Sequence, residues 1–182
     1  IIYNIKTRDA VLFFIILITA IVFRVYNLEK IPLEVNQEEG FASVGALEVL
    51  SGVLKGPFDF GPKSAPGWTY YSGLYYYGHA FFIKIFGNSI IGNRMFAAIA
   101  GILCVPVTML FTKEAAGKKT AYLAGFLVAV FGVHIHFSRF GFMFIHSALW
   151  GILALYMILV SDRKKSPYLF AITGIVIGIS QY

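Results

Sequence analysis

From Met95 to Thr112 the chain runs through 18 residues without a Lys, Arg, Asp or Glu, and from Phe140 to Val160 through another 21. As helices these runs would be about 27–32 Å long at 1.5 Å per residue, which matches the roughly 30 Å of bilayer hydrocarbon. Two such segments leave a soluble core little room. Charged residues make up 13% of the chain and hydrophobic ones 58%, with a mean hydropathy of +0.75. A soluble domain would carry about 25% charged residues. The fold class that follows is all-α, a polytopic helical membrane protein.

Lipid also changes how the charge reads. The net charge is +6. In a soluble protein that would suggest nucleic acid; in a membrane protein it reflects Lys and Arg in cytoplasmic loops, so nucleic acid is not an expected partner. Cys104, the single cysteine, lies within the first run, which excludes a disulfide framework and a cysteine-rich metal site. The sequence holds no phosphate loop, dinucleotide fingerprint, HExxH or nucleophile elbow.

Five spans are expected, at about 10–26, 95–112, 121–138, 140–160 and 168–182, with a long outer loop over 27–93. Val11–Tyr26 reads as an uncleaved signal anchor with Arg24 snorkelling. Trp68–Phe86 could cross or lie flat, and charge decides. If it lies flat, Lys6, Arg8, Lys113, Lys118, Lys119 and Arg163–Lys165 share one side. That side then holds eight of the 15 basic and three of the nine acidic residues. The positive-inside tendency makes that side cytoplasmic and the N-terminus with it. Two interfacial helices, Glu38–Leu54 and Trp68–Phe86, then sit in the first outer loop of a multi-pass protein of the cell (plasma) membrane. Lys55–Gly67 is turn-rich and expected to be irregular. Ala121/Gly125 and Gly174/Gly178 are small-x-x-x-small pairs suited to close helix packing.

The outer loop holds the chemistry. Phe41, Val44, Leu47, Leu50 and Leu54 recur at helical spacing, Asn36 is placed to cap that helix, and Glu39 completes a capping-box pattern. Glu38 and Glu39 therefore read in two ways: as favourable charges at a helix N-terminus, or as a solvated carboxylate pair able to act as a base. Arg139 ends the span that begins at the cytoplasmic lysines and so faces Glu38's side. It reads as a headgroup anchor or as a bidentate phosphate ligand. Lys63, in the outer loop, reads as a candidate second phosphate contact. His134 and His136 are two apart and diverge on a helix, which disfavours a shared metal. His79 and His146 read as structural, and Arg94 as an anchor.

The order of these motifs resembles a known family. Asn36–Leu50 (NQEEGFASVGALEVL), a turn-rich loop, Tyr75–Phe142 and Gly174–Tyr182 follow one another as in GT-C glycosyltransferases of the protein-mannosyltransferase and aminoarabinose-transferase type. The resemblance implies a GT-C-like fold, with residues 1–182 as the N-terminal part of its transmembrane domain. It implies a polyprenyl-phosphate sugar as donor, a protein or glycolipid as acceptor, and membrane lipids and membrane complex partners around it. In that family an Asp-Glu pair in the first outer loop supplies the base; Glu38 falls at the Asp position and Glu39 beside it. Arg139 matches the family's outer arginine, and Lys63 loosely matches its loop Lys or His. No metal ligands are assigned, and a divalent metal is the one cofactor the resemblance leaves open. Glu in place of Asp moves the carboxylate out by one methylene, and misplacement of about 1 Å can cost on the order of 100-fold in rate. The alternative is a non-catalytic scaffold or accessory subunit with a degenerate GT-C fold. The chain starts at Ile1 without Met and ends inside an apolar run, which reads as part of a longer protein.

Overall fold

The computed structural model describes residues 7–64 and 71–181. Lys6, Trp68 and Tyr70, read above as flanking and interfacial residues, lie outside them. Among the described residues there are eight helices: α1 (Thr7–Val25), α2 (Gln37–Leu50), α3 (Gly73–Phe86), α4 (Ile90–Ala116), α5 (Lys118–Val130), α6 (Gly132–Arg139), α7 (Phe144–Lys164) and α8 (Pro167–Gln181). The loop expected to be irregular contains one short antiparallel pair, β1 (Phe60–Gly61) with β2 (Tyr71–Ser72).

By length and composition α4 and α7 can each cross a membrane, and α5 with α6 makes a third span if the 55° bend between them is bridged. The 19-residue α1 carries Arg8, Asp9 and Arg24, and the apolar α8 has 15 residues. Outward-facing Phe14, Ile15, Ile18, Leu103, Leu110, Leu155, Ile158, Ile172 and Ile175 give the bundle an apolar exterior suited to lipid.

α4 is the central post. Val105 and Met109 pack with Ile16 and Ala20 of α1 and Ala129 of α5. Ala97, Ala100 and Cys104 pack against Ile145 of α7. Small residues set the spacing: a Cβ on Gly125 would overlap Met109, so the Ala121/Gly125 pair does bring α5 close to α4. Gly174 and Gly178 face open space, so the second pair makes no such contact among the described residues.

The two ends of the bundle differ. At one end Lys118 pairs with Asp9, joining the starts of α5 and α1, and Arg163 with Glu114 at 2.9 Å, joining the ends of α7 and α4. At the other end α2 and α3 lie together, seamed by Ala46, Val49, Ala80 and Ile83. At 14 residues each, they are about 21 Å long and too short to span. Both ends of α3 also meet the same end of the bundle: Tyr75 Oη donates to Gly141 O at 3.3 Å, and two residues separate Phe86 from Ser89, the N-cap of α4. The charge-parity argument likewise expects this segment not to cross.

α2 stops at Leu50, not Leu54, because Gly52 takes φ +76° and turns Val53 and Leu54 back onto Glu48 O. Of its large apolar residues only Val49 joins the seam among the described residues. Leu47 and Leu50 point outward, while Ala42, Gly45 and Ala46 are buried. An interfacial helix keeps its small side toward protein and its large apolar side toward lipid.

Candidate active site at the α2 N-terminus

Asn36 caps α2, its Oδ1 accepting from Glu38 N at 2.6 Å and Glu39 N at 3.2 Å. The capping box does not close, because Glu39 turns inward. It is fully buried and forks with Arg94: Nε to Oε1 at 2.7 Å and Nη2 to Oε2 at 3.2 Å. Gly141 N adds a bond to Oε1 at 3.2 Å. The remaining Arg94 protons go to carbonyls of the loop after α1: Leu28 at 3.1 Å, Pro32 at 2.8 Å and Glu34 at 3.1 Å. Position 141 must be glycine for this approach, since a Cβ there would stand 2.6 Å from Asn93 O.

Glu38 has a different environment. It is half-buried, and Tyr71 Oη donates to its Oε2 at 3.2 Å. Burial, with the Glu38 charge and this hydrogen bond, raises the Tyr71 pKa. The phenol therefore stays protonated and acts as donor. Tyr71 is held edge-on by Phe142 at 6.2 Å and Tyr75 at 6.3 Å. Of the two adjacent carboxylates, one is locked and one is available.

Arg139 is buried, and its guanidinium is engaged with backbone. Nε and Nη2 donate to Ile31 O, Nη1 to Phe23 O at 2.8 Å, and Nη2 also to Tyr26 O and Asn27 O. Phe23 O lies in the last turn of α1, where carbonyls lack helical partners, and the others belong to the loop that follows. Arg24, at the end of α1, reciprocates. It does not snorkel: it is fully buried and donates to Val128 O at 2.9 Å, Ala129 O at 3.1 Å, His134 Nδ1 at 2.9 Å and Ser138 Oγ at 3.3 Å. The α5/α6 break frees carbonyls inside the bundle, and an apolar side chain could not satisfy them. Residues read as surface anchors are interior staples.

Lys63 is pinned by its backbone, whose N–H donates to Glu48 Oε2 at 2.6 Å, and its Nζ pairs with Asp59 at 2.7 Å, both side chains partly exposed. Glu48 also accepts from Ser64 N and Oγ. Burial pushes the Glu48 carboxyl up, but these bonds outweigh it and hold the pKa below the usual value. The sequence candidates thus share one end of the molecule without converging on one atom. Glu39 and Arg139 are joined through the α6–α7 junction, Lys63 belongs to the Glu48 loop, and neither cation donates to Glu38. His134 faces Arg24, while His136 lies against Phe140 at 4.7 Å. Among the described residues no three His, Cys, Asp or Glu side chains gather as a metal site.

Beside Tyr71 a cavity of about 320 Å³ opens between α3, α4, α7 and α8, lined by Tyr71, Tyr75, Phe96, His146, Ser147 and Trp150 among others. Behind it His79 Nε2 meets Asn93 Oδ1, and Asn93 Nδ2 donates to Glu39 O at 3.3 Å. Burial depresses the His79 pKa to about 4, partly opposed by the Asn93 bond, so the ring is neutral. Tyr71 and His146 were not among the sequence candidates. An aromatic-belt composition hid the first, and isolation in an apolar run hid the second.

A helical bundle with an apolar exterior and a carboxylate pair at one end defines a membrane protein with a candidate acid–base site at its surface. The family model for dolichyl-phosphate-mannose-protein mannosyltransferases matches residues 67–180, and the chain belongs to that family of helical GT-C membrane glycosyltransferases. Compared with curated proteins and with solved structures, the chain gives no match.

Proposed function

We propose that the protein transfers a sugar from a polyprenyl-phosphate donor to a protein or glycolipid acceptor, with Glu38 as general base. One observation carries the assignment: Glu39 is consumed by Arg94 and Gly141, whereas Glu38 keeps an accessible carboxylate with one hydroxyl donor. Glu38 takes the proton of the acceptor hydroxyl as its oxygen bonds to the anomeric carbon. The bond from that carbon to the phosphate oxygen breaks, and polyprenyl phosphate leaves with the electron pair, inverting the centre.

The leaving phosphate needs a cation. Freeing Arg139 would break five hydrogen bonds to carbonyls. An exposed pair such as Lys63–Asp59 is worth about 0–1 kcal/mol and exchanges readily. We therefore assign the phosphate contact to Lys63 and let Arg139 fix the backbone around the site. By the positive-inside tendency the Lys118/Arg163 end is cytoplasmic and Glu38 faces outward from the plasma membrane. Residues 1–182 act in this reading as the N-terminal part of a GT-C-like domain.

The test is sugar transfer by full-length protein in membranes from a panel of polyprenyl-phosphate donors. Glu38→Gln should lower the rate about 100- to 10,000-fold with the melting temperature little changed. A Glu38→Gln protein as active as the parent would remove Glu38 as base.

A further inference from the structure

The cavity beside Tyr71 contains a buried side chain with nothing to bind. His146 is 9% exposed, yet neither Nδ1 nor Nε2 has a hydrogen-bond partner among the described residues. Buried polar groups are paired in the great majority of cases, and an unpaired one is costly. The ring is held edge-on to Tyr75 at 5.4 Å and against Phe96 at 4.1 Å, so it cannot swing away without losing that packing.

The lining limits what could satisfy it. None of the cavity's lining residues carries a formal charge, so the phosphate of a lipid donor is poorly matched. A hydrocarbon chain would leave both imidazole nitrogens unpaired. A lone imidazole does not make a metal site. A neutral imidazole has one donor and one acceptor, and a hydroxyl group offers the complement of each. Tyr71, Tyr75 and Trp150 provide flat amphipathic faces, and Ser147 a further hydroxyl. At about 320 Å³ the space falls at the small end of ligand pockets.

We propose that this cavity seats a neutral sugar ring, with His146 bonding its hydroxyls. Tyr71 lines the cavity and also donates to Glu38, so a ring seated there lies one side chain from the assigned base. The proposal rests on the glycosyltransferase reading and extends it to the sugar seat. The ring could be the one carried by the donor or one on a glycolipid acceptor; the chemistry is shared.

The experiment uses full-length protein in nanodiscs, reading ligand binding by isothermal titration calorimetry. Three probes are titrated: citronellyl-phosphate mannose, citronellyl phosphate and methyl mannoside. Saturable binding of the mannosyl phosphate, with the sugar-free phosphate at least about tenfold weaker, is expected for a donor seat. Binding by methyl mannoside, with both phosphates weak, assigns the seat to an acceptor sugar. In either case His146→Phe should weaken sugar binding about tenfold, and His146→Gln, which keeps a donor and an acceptor, about threefold or less. His146→Leu replaces the Phe variant if that one does not fold. Equal responses to sugar-bearing and sugar-free phosphate, no response to either sugar, or unchanged affinity in the apolar variants would overturn the proposal. Sugar transfer measured on the same samples keeps the two readings apart. Transfer that depends on Glu38 with binding indifferent to His146 sinks only the sugar seat. Sugar binding that depends on His146, with no transfer from any donor, sinks only the transferase assignment.

Discussion

The bundle end shared by Arg24, Arg94 and Arg139 and the cavity around His146 lie side by side and follow opposite rules. In the first, irregular backbone is heavily cross-linked: each guanidinium gathers carbonyls from a helix end or loop, and Glu39 completes the Arg94 set. In the second, aromatic rings form a wall and a buried imidazole has no partner. The stapled region spends its polar groups on folding; the cavity and Glu38 hold theirs open. Charge near a membrane surface is therefore a poor guide to chemistry until its bonds are counted.

That contrast breaks most visibly at Arg94. Arg94→Ala should destabilise by about 3–5 kcal/mol, because it strands Glu39 as an unpaired buried charge. Replacing both partners, Arg94→Met with Glu39→Leu, should recover much of the loss. Thermal unfolding of the purified full-length protein reads both. If the single variant were as stable as the parent, the staple would be decorative.

Acid probes the next level. The unfolded chain protonates His79 near pH 6.5, whereas the folded chain resists until about 4. Protons thus favour unfolding, and stability should fall as pH drops from 6.5 toward 4, by on the order of 2–3 kcal/mol. Glu48 acts with the same sign lower down: its depressed pKa gives stability present above about 4.5 and lost as pH falls through the folded value. Melting temperatures across pH 4–7 should slope in the parent and slope less steeply in His79→Gln.

Arg24→Met should cost about 1–3 kcal/mol by leaving the Val128 and Ala129 carbonyls unpaired within the bundle. Hydrogen exchange should quicken at the α5/α6 break ahead of the rest of the helices. The smallest effect is expected at Tyr71→Phe. Losing one hydrogen bond to Glu38, about 1 kcal/mol, should slow transfer a few-fold without a change in melting temperature. A change in stability as large as that for Arg24 would move Tyr71 into the stapled region.

The sequence by itself determined the membrane class, the approximate place of the helices, the Asn36 cap and the side of the bundle on which Glu38 lies. Those follow from local quantities: apolar run length, helical spacing and the distribution of Lys and Arg. The family resemblance over Tyr75–Phe142 agrees with the match at residues 67–180, which does not extend to Asn36–Leu50. Tertiary structure alone decided what each polar group does. The capping pattern at Glu39 is locally sound, but a buried guanidinium 55 residues away attracts its carboxylate more strongly than a solvated backbone N–H does. Arg24 reads as a snorkeller because its own helix gives no hint that α5 will break and open carbonyls beside it. Tyr71 and His146 are ordinary residues of apolar stretches until α3, α4 and α7 enclose a cavity around them. Burial and pairing are set by contacts across long sequence separations, and local spacing carries no record of which partner wins.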